Sequence, residues 1–412
     1  MTGSPVHIRA TARVGADAPK RTGPATLLPR RRPGHLGSLH VVQLLLAEAA
    51  IVAILVAFGR NLVVLVVAVA LGLLVLVVSL GRQQGRWWLE RRVMTWQFQR
   101  RRRSRPPSLP EDARLSALQW LAPGLVVDDL AAPDGSQIGV GRDDAGWFAV
   151  ATLSSSAPMR DDARPPLPLD TLVSALAEAD QPGAVVQVVT HSIPAPAHQD
   201  TSGQSYRELL HRYGPVGVPV DRVTWFAVRL DAQALAELGA DLPEQTAQAP
   251  TVVAALLRRL VKALRREGIA AQPLDREGLL DALARSCDLA PPDGSTPVRP
   301  REDWNVWYSG RLAHRSYWIR DWPSVAQATA LLDWLSTAPA ALTSVALVLA
   351  PQGGDDVDIR CLTRVAAVPE QLASVCQAVV RGAKLAHAGL FELGGEQGPA
   401  AYATAPTGGG PR

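Results

Sequence analysis

The sequence predicts an α+β protein in two parts: an N-terminal two-helix transmembrane hairpin, then a soluble domain of two related ferredoxin-like (βαββαβ) sub-domains. Three observations carry this expectation. Two apolar runs, Leu39 to Phe58 and Leu62 to Leu80, flank the turn signal Gly59-Arg60-Asn61. Basic charge is concentrated around them. Beyond the Pro-rich break at Pro106 to Pro110, one order of strands and helices occurs twice.

Residues 1–35 are polar and read as a disordered cytoplasmic tail. Residues 36–81 read as the hairpin. His40, Gln43 and Glu48 interrupt the first run, and Ser79 is the polar side chain of the second. Each run is about 20 residues, enough to cross about 30 Å of hydrocarbon as a helix. Some 35 polar residues precede the first run and no small-residue cleavage site follows it, which disfavours a signal peptide. Lys20, Arg21 and Arg30 to Arg32 precede the hairpin, a dense arginine group follows it, and the turn offers Arg60 alone. The positive-inside bias places both termini and the soluble domain in the cytoplasm of a two-pass inner-membrane protein. Glu48 falls near mid-bilayer, where a carboxylate costs a few kcal/mol unless protonated or paired. It reads either as a neutral Glu bonded to its own hairpin neighbour or as a contact with a transmembrane helix of another subunit.

Residues 82–110 read as a basic, aromatic juxtamembrane helix and linker. Arg82, Arg86, Arg91, Arg92 and Arg100, Arg101, Arg102 and Arg103 alternate with Trp87, Trp88 and Trp96. Such a stretch either anchors at a lipid headgroup layer alone, with aromatics at the interface and arginines against anionic lipid, or also docks a partner subunit.

In the first sub-domain, residues 111–289, Gln137 to Val140 and Gly146 to Ala151 form a hairpin. A helix near Leu169 to Ala179 follows, then strands Val185 to Ile193 and Val223 to Leu230. Thr251 to Arg266 is an amphipathic helix closed by Gly268, and Ile269 to Leu274 a short strand. After a linker at residues 290–303, the second sub-domain, residues 304–393, repeats the order. Trp304 to Tyr308 and Tyr317 to Asp321 make a hairpin, Ser324 to Thr337 a helix, and Leu342 to Ala350 and Val357 to Ala367 strands. Pro369 to His387 is a helix and Leu390 to Leu393 a strand. The βαββαβ portion is the split-βαβ order. Pro194 to Ser205, Asp241 to Pro250 and Ala290 to Arg301 read as mobile loops, and residues 394–412 as a disordered tail.

Charge and motif content exclude several functions. Of 42 Lys and Arg in the chain, 17 lie in residues 1–105 against three acids, a net +14. The whole chain carries +4, so residues 106–412 carry −10. An acidic domain argues against nucleic acid as a partner. None of Lys20, Lys262 and Lys384 closes a Gly-x-x-x-x-Gly-Lys loop, so no P-loop cradles a phosphate. Neither a Gly-x-Ser-x-Gly elbow nor a His-Glu-x-x-His pair occurs. Cys287, Cys361 and Cys376 are scattered, which predicts reduced thiols, with Cys376 as core filler on a helix. His191 and His198 read as surface or strand-end histidines rather than metal ligands. Asp356-Val357-Asp358 has the D-x-D form that holds the metal of a nucleotide-sugar in glycosyltransferases, but Gly353 to Asp356 is also an ordinary hairpin turn. No catalytic, cofactor or metal site is assigned. Trp304, Trp307, Tyr317, Trp318 and Trp322 crowd the second sub-domain, either as packing or as an interaction patch that recruits a partner.

An ordered set of motifs carries a family resemblance. After the membrane runs come Gly85-Arg86-Trp87-Trp88-Leu89-Glu90-Arg91-Arg92, then Asp134-Gly135-Ser136-Gln137-Ile138-Gly139-Val140 with Gly146 to Val150. Ser205-Tyr206-Arg207-Glu208-Leu209-Leu210, Trp225 to Asp231 and the Arg258 to Gly268 helix end follow. Together these resemble EccE, a membrane component of the mycobacterial type VII (ESX) secretion machinery, over about residues 35–393, and most resemble the member of the fifth ESX system. The resemblance implies a non-catalytic structural or stabilising subunit. Its partners would be EccB, EccC and EccD, with the mycosin protease nearby and membrane lipids around it; ATPase work would belong to EccC.

Overall fold

The computed structural model describes residues 35–36, 39–59, 61–80, 82–83, 86–103, 112–153, 168–179, 181–194, 220–232, 243–289, 300–351 and 357–409. The chain divides into two compact units, residues 28–104 and the body that holds residues 105–412. The expected tail at residues 1–35 lies almost wholly outside the described residues.

In the smaller unit, α1 (Val41–Ala57) and α2 (Leu62–Leu80) pack as a hairpin. Asn61 starts α2, its side-chain Oδ1 accepting from the Val63 amide at 3.4 Å. Gly72 lets the helices approach: a Cβ there would lie 2.7 Å from Ile54 Cδ1. The outer faces are bare hydrocarbon, with Leu55 68 % and Phe58 77 % exposed. Among the described residues no helix is long and apolar enough to cross a membrane; α1 has 17 residues and α2 has 19. The third helix, α3 (Trp88–Arg103), buries Met94 and Phe98 while Trp96 stands exposed. The guanidinium of Arg100 lies 5.6 Å from the Trp96 ring, as that of Arg102 does from Phe98, a cation–π spacing.

The larger unit opens with α4 (Ala113–Leu118), capped by Asp112. Then come β1 (Val126–Ala131), β2 (Gln137–Asp143), β3 (Gly146–Leu153), α5 (Leu169–Ala177), β4 (Ala184–Pro194), β5 (Val220–Asp231), α6 (Pro243–Arg266), β6 (Ala271–Pro273) and α7 (Arg276–Ser286). The second half contains β7 (Arg301–Glu302), β8 (Trp307–Tyr308), β9 (Ala313–Asp321), α8 (Val325–Ser336), β10 (Leu342–Pro351), β11 (Val357–Ala367), α9 (Leu372–Leu385), β12 (Gly389–Glu392) and α10 (Gln397–Ala403).

Among the described residues of the larger unit, the twelve strands join one antiparallel sheet, whose main path runs β7-β8-β9-β11-β10-β4-β5-β3-β2-β1. Within residues 146–273, β3 pairs with both β5 and β6, and β5 with β4. Within residues 313–392, β9 pairs with both β11 and β12, and β11 with β10. Each half is thus ordered fourth-first-third-second, the split-βαβ arrangement. The second strands of the halves, β4 and β10, pair directly, Val189 opposite Ala346. The halves therefore share one sheet and one core rather than standing as separate bodies. Leu172, Leu257 and Leu264 of the first half and Leu331, Leu335 and Val379 of the second belong to a single buried cluster.

Helices α5, α6, α8 and α9 cover that face; α4, α7 and α10 cover the other. Strand periodicity assigns the side chains. Val186 and Val188 of β4 point into the four-helix face, and Val189 points into the opposite one.

Three irregular stretches of the sequence behave differently from expectation. Asp241 to Pro250 reads as a loop, yet α6 begins at Pro243, and Pro250 is accommodated inside it. Proline at a first helical position surrenders only an amide that has no partner there. Of the linker at 290–303, Arg301 and Glu302 form β7 against Tyr308 and Trp307. Residues 394–409 are no disordered tail: they form α10 and a buried extension. Their small side chains and glycines serve close packing. Gly408, at φ +81°, sits so near Arg229 that a Cβ would collide with that side chain.

Candidate functional site

The centre of the sheet is polar on the face away from α5, α6, α8 and α9. Gln187 and His191 on β4, Arg229 on β5, His314 and Ser316 on β9, Ser344 on β10 and Arg364 on β11 are all buried there. Each stands at an alternate strand position on that face. Among the described residues two networks organise them.

Arg364, wholly buried, is the hub of the first. Its Nε donates to Thr404 Oγ1 at 2.9 Å, and Nη2 donates to Ser344 Oγ at 3.1 Å and to the Ser286 carbonyl. Its Nη1 lies 3.1 Å from His314 Nδ1. A guanidinium can only donate, so Nδ1 accepts and the His314 proton resides on Nε2. That Nε2 faces Ser309 Oγ at 2.9 Å and Asp288 Oδ2 at 3.3 Å, while Ser309 Oγ also donates to Asp288. Burial pulls the Asp288 carboxyl upward, but the hydrogen bonds from His314 and Ser309 hold it below its ordinary value. His191 bonds Ser344 Oγ through Nδ1 at 2.8 Å and leans on Trp225 with centroids 5.7 Å apart.

The second network centres on Arg229, whose side chain is 2 % exposed, and Asp143, 5 % exposed. They pair through both guanidinium nitrogens, with Nη1 2.9 Å from Oδ1. Arg229 Nε donates to the Thr407 carbonyl at 2.7 Å, and Tyr402 OH donates to Asp143 Oδ2 at 2.8 Å. Beside them Gln187 donates to the Ala403 carbonyl at 2.7 Å and accepts from the Thr407 and Gly408 amides at 3.0 and 2.7 Å. Gln397 accepts from the Ser316 amide at 2.8 Å, and Glu302 from the Gly398 amide at 2.9 Å. Residues 397–408 thus bind both halves of the sheet.

These bonds tie the strands to the C-terminal segment. Serine, histidine and aspartate meet at Ser309, His314 and Asp288, but one imidazole nitrogen serves both oxygens. A nucleophilic triad needs the two nitrogens divided between base and orienting group. Cys287 is fully buried, and burial pushes its thiol up to about 12, far from a reactive thiolate. Among the described residues no group of three or more His, Cys, Asp or Glu side chains is placed to hold a metal ion.

The histidines make a pH prediction. Burial, reinforced by the nearby Arg364 charge, lowers His191 to about 3. Burial likewise lowers His314 to about 4, with Arg364 adding to it and Asp288 opposing. The unfolded chain takes up these protons near pH 6.5, whereas the folded chain resists until about 4 and about 3. Stability should therefore be full above about pH 6.5. It should fall toward about pH 4 by about 1.4 kcal/mol per pH unit per histidine. Denaturant midpoints of the full chain at about pH 7 and pH 5 check this; equal midpoints contradict it.

Residues 218–319 match the family model described as "Putative type VII ESX secretion system translocon, EccE". The EccE match covers about a quarter of the chain, from the approach to β5 through most of β9. It takes in Arg229, Asp288, Ser309 and His314, and so parts of both networks. No curated protein matches the chain.

Other residues singled out from the sequence are dispersed. Glu48 is exposed on α1, and Trp96, Arg92 and Arg100 are exposed on α3. The side chains of Arg82, Arg86, Trp87 and Trp88 lie outside the described residues. Trp307 and Tyr317 are buried at 1 % and 3 %, which removes them from any surface patch. Trp304, Trp318 and Trp322 are half-buried. His191 is a core residue rather than a surface one, and His198 is outside the described residues. So are Asp355 and Asp356; Asp358 is buried and lies 3.7 Å from Arg360. The sequence reading missed Gln187, Arg229, His314 and Arg364 as a set. The usable signal was a long polar side chain at an alternate position inside otherwise apolar strands, as in Phe226-Ala227-Val228-Arg229-Leu230 and Thr363-Arg364-Val365.

Proposed function

We propose that the chain is a non-catalytic structural subunit of an ESX type VII secretion translocon, of the fifth-system type, held in the inner membrane. The EccE match across residues 218–319 is the observation that carries this reading. The internal bonds of Gln187, Arg229, His314 and Arg364 support it, because these buried groups are engaged in holding the fold together. In this reading the apolar sequence runs Leu39 to Phe58 and Leu62 to Leu80 cross the bilayer with both termini cytoplasmic. The arginines and tryptophans of residues 82–103 meet the lipid headgroups, and EccB, EccC and EccD are the neighbours, with the mycosin protease nearby.

Exposed apolar surface on α1 and α2 is what hydrocarbon or a partner helix would cover. Glu48, exposed on α1, is the polar group best placed to bond a neighbouring helix. Purification of tagged full-length chain from native membranes should bring down EccB, EccC and EccD; a preparation free of all three refutes the assignment. Glu48→Leu should leave membrane insertion intact and lower the yield of the complex on a native gel. Unchanged yield removes Glu48 from the interface.

A further inference from the structure

We infer that the outward faces of α6 and α9 form a binding surface for the headgroups of anionic lipids. The inference rests on the membrane reading above. Residues 106–412 carry −10, yet residues 251–266 of α6 hold Arg258, Arg259, Lys262, Arg265 and Arg266 and no acid. Helix α9 holds Arg381 and Lys384, again with no acid. Arg259, Lys262, Arg265, Arg266, Arg381 and Lys384 are all exposed.

The two helices are equivalents. Each is the second helix of its half, leads into the fourth strand, and packs on the same face of the sheet. Placing cations on both gives that face a positive charge on each flank, on a body that is otherwise acidic. Helix polarity explains a cation in the last turn, as at Arg265, Arg266 and Lys384. It does not reach Arg258, Arg259 or Lys262, which lie further back along α6. Two cations are partly answered within the fold: Arg259 stands 3.0 Å from Glu178, and the charge of Arg258 acts on Asp134.

Lipid is favoured over an acidic protein surface by Leu385. This side chain is 78 % exposed directly beside Lys384, and an apolar group among cations is what an interfacial surface inserts. The chain also carries its own bilayer-seeking elements in the apolar hairpin and the arginine–tryptophan helix α3, so a headgroup layer is the anionic surface it would meet.

Hydrogen exchange on the full chain reconstituted into vesicles tests the idea. One set is pure phosphatidylcholine and the other holds about 30 % phosphatidylglycerol. Exchange over residues 258–266 and 381–387 should slow by about threefold or more in the anionic vesicles. The protection should vanish at high salt, because screening shortens the reach of the charges. It should also vanish in Lys262→Glu/Arg266→Glu/Lys384→Glu, whose core exchange reports whether it folds. Equal exchange in both lipids, with the chain resisting alkaline extraction, overturns the lipid surface while leaving the membrane reading intact. Extraction of the chain from both vesicles defeats that reading and the inference with it. Protection that appears in the purified native complex but not in anionic vesicles assigns the surface to an acidic protein instead.

Discussion

A chain ending at Leu393 should fail to fold its larger unit. Loss of residues 394–412 strips Arg364 of Thr404, Arg229 of the Thr407 carbonyl, and Asp143 of Tyr402. It also strips Gln187 of its bonds to Ala403, Thr407 and Gly408, and the Ser316 amide of Gln397. Each buried group left without a partner costs about 1–3 kcal/mol. The cut also uncovers the apolar cluster to which Ala401, Tyr402 and Ala405 belong. The total reaches the whole stability of an ordinary domain, about 5–15 kcal/mol. Limited proteolysis of the truncated chain in membranes should digest residues beyond about 105 completely, where the full chain leaves a resistant core. A truncated chain with the same resistant core would show that the segment is dispensable.

Arg229→Met should be the most damaging single substitution, at about 3–5 kcal/mol. Asp143 is 5 % exposed and would keep the Tyr402 hydroxyl and the Ala145 amide as donors, neither of them charged. A buried carboxylate deprived of its cation is far costlier than the pair is beneficial. Replacing both, Arg229→Met with Asp143→Leu, should therefore recover much of the loss. Urea unfolding of the full chain and its variants checks the cycle. A double variant no more stable than Arg229→Met alone would contradict the account, as would a single variant within about 1 kcal/mol of the parent.

Much of the larger unit was legible in the sequence because its elements carry clear periods. The β-branched run Val185 to Ile193, the apolar stripe of α6 and the strand pair around residues 352–356 each announce their own structure. The recurrence of hairpin, helix and strands was legible for the same reason. What a single segment cannot announce is its partner. The pairing of Val189 with Ala346 fuses the halves across a sequence distance that no local pattern spans. Buried polar residues were illegible for a related reason. Arg364 reads as a surface arginine until Thr404, His314, Ser344 and the Ser286 carbonyl are seen to converge on it.

By itself the sequence determined the division into an apolar, basic N-terminal part and an acidic α+β part, and the order of elements within the latter. Those are properties of neighbouring residues, set by side-chain period, charge and turn chemistry. Only the tertiary structure decided the fate of the glycine-rich C-terminus. Composition reads Gly394 to Gly409 as too poor in apolar groups to order itself, and alone it is. It orders because Arg229, Arg364 and Gln187, spread along strands far away in the chain, are left on one buried face with bonds to make. A buried donor without an acceptor is costly enough to recruit even a segment of alanine, threonine and glycine.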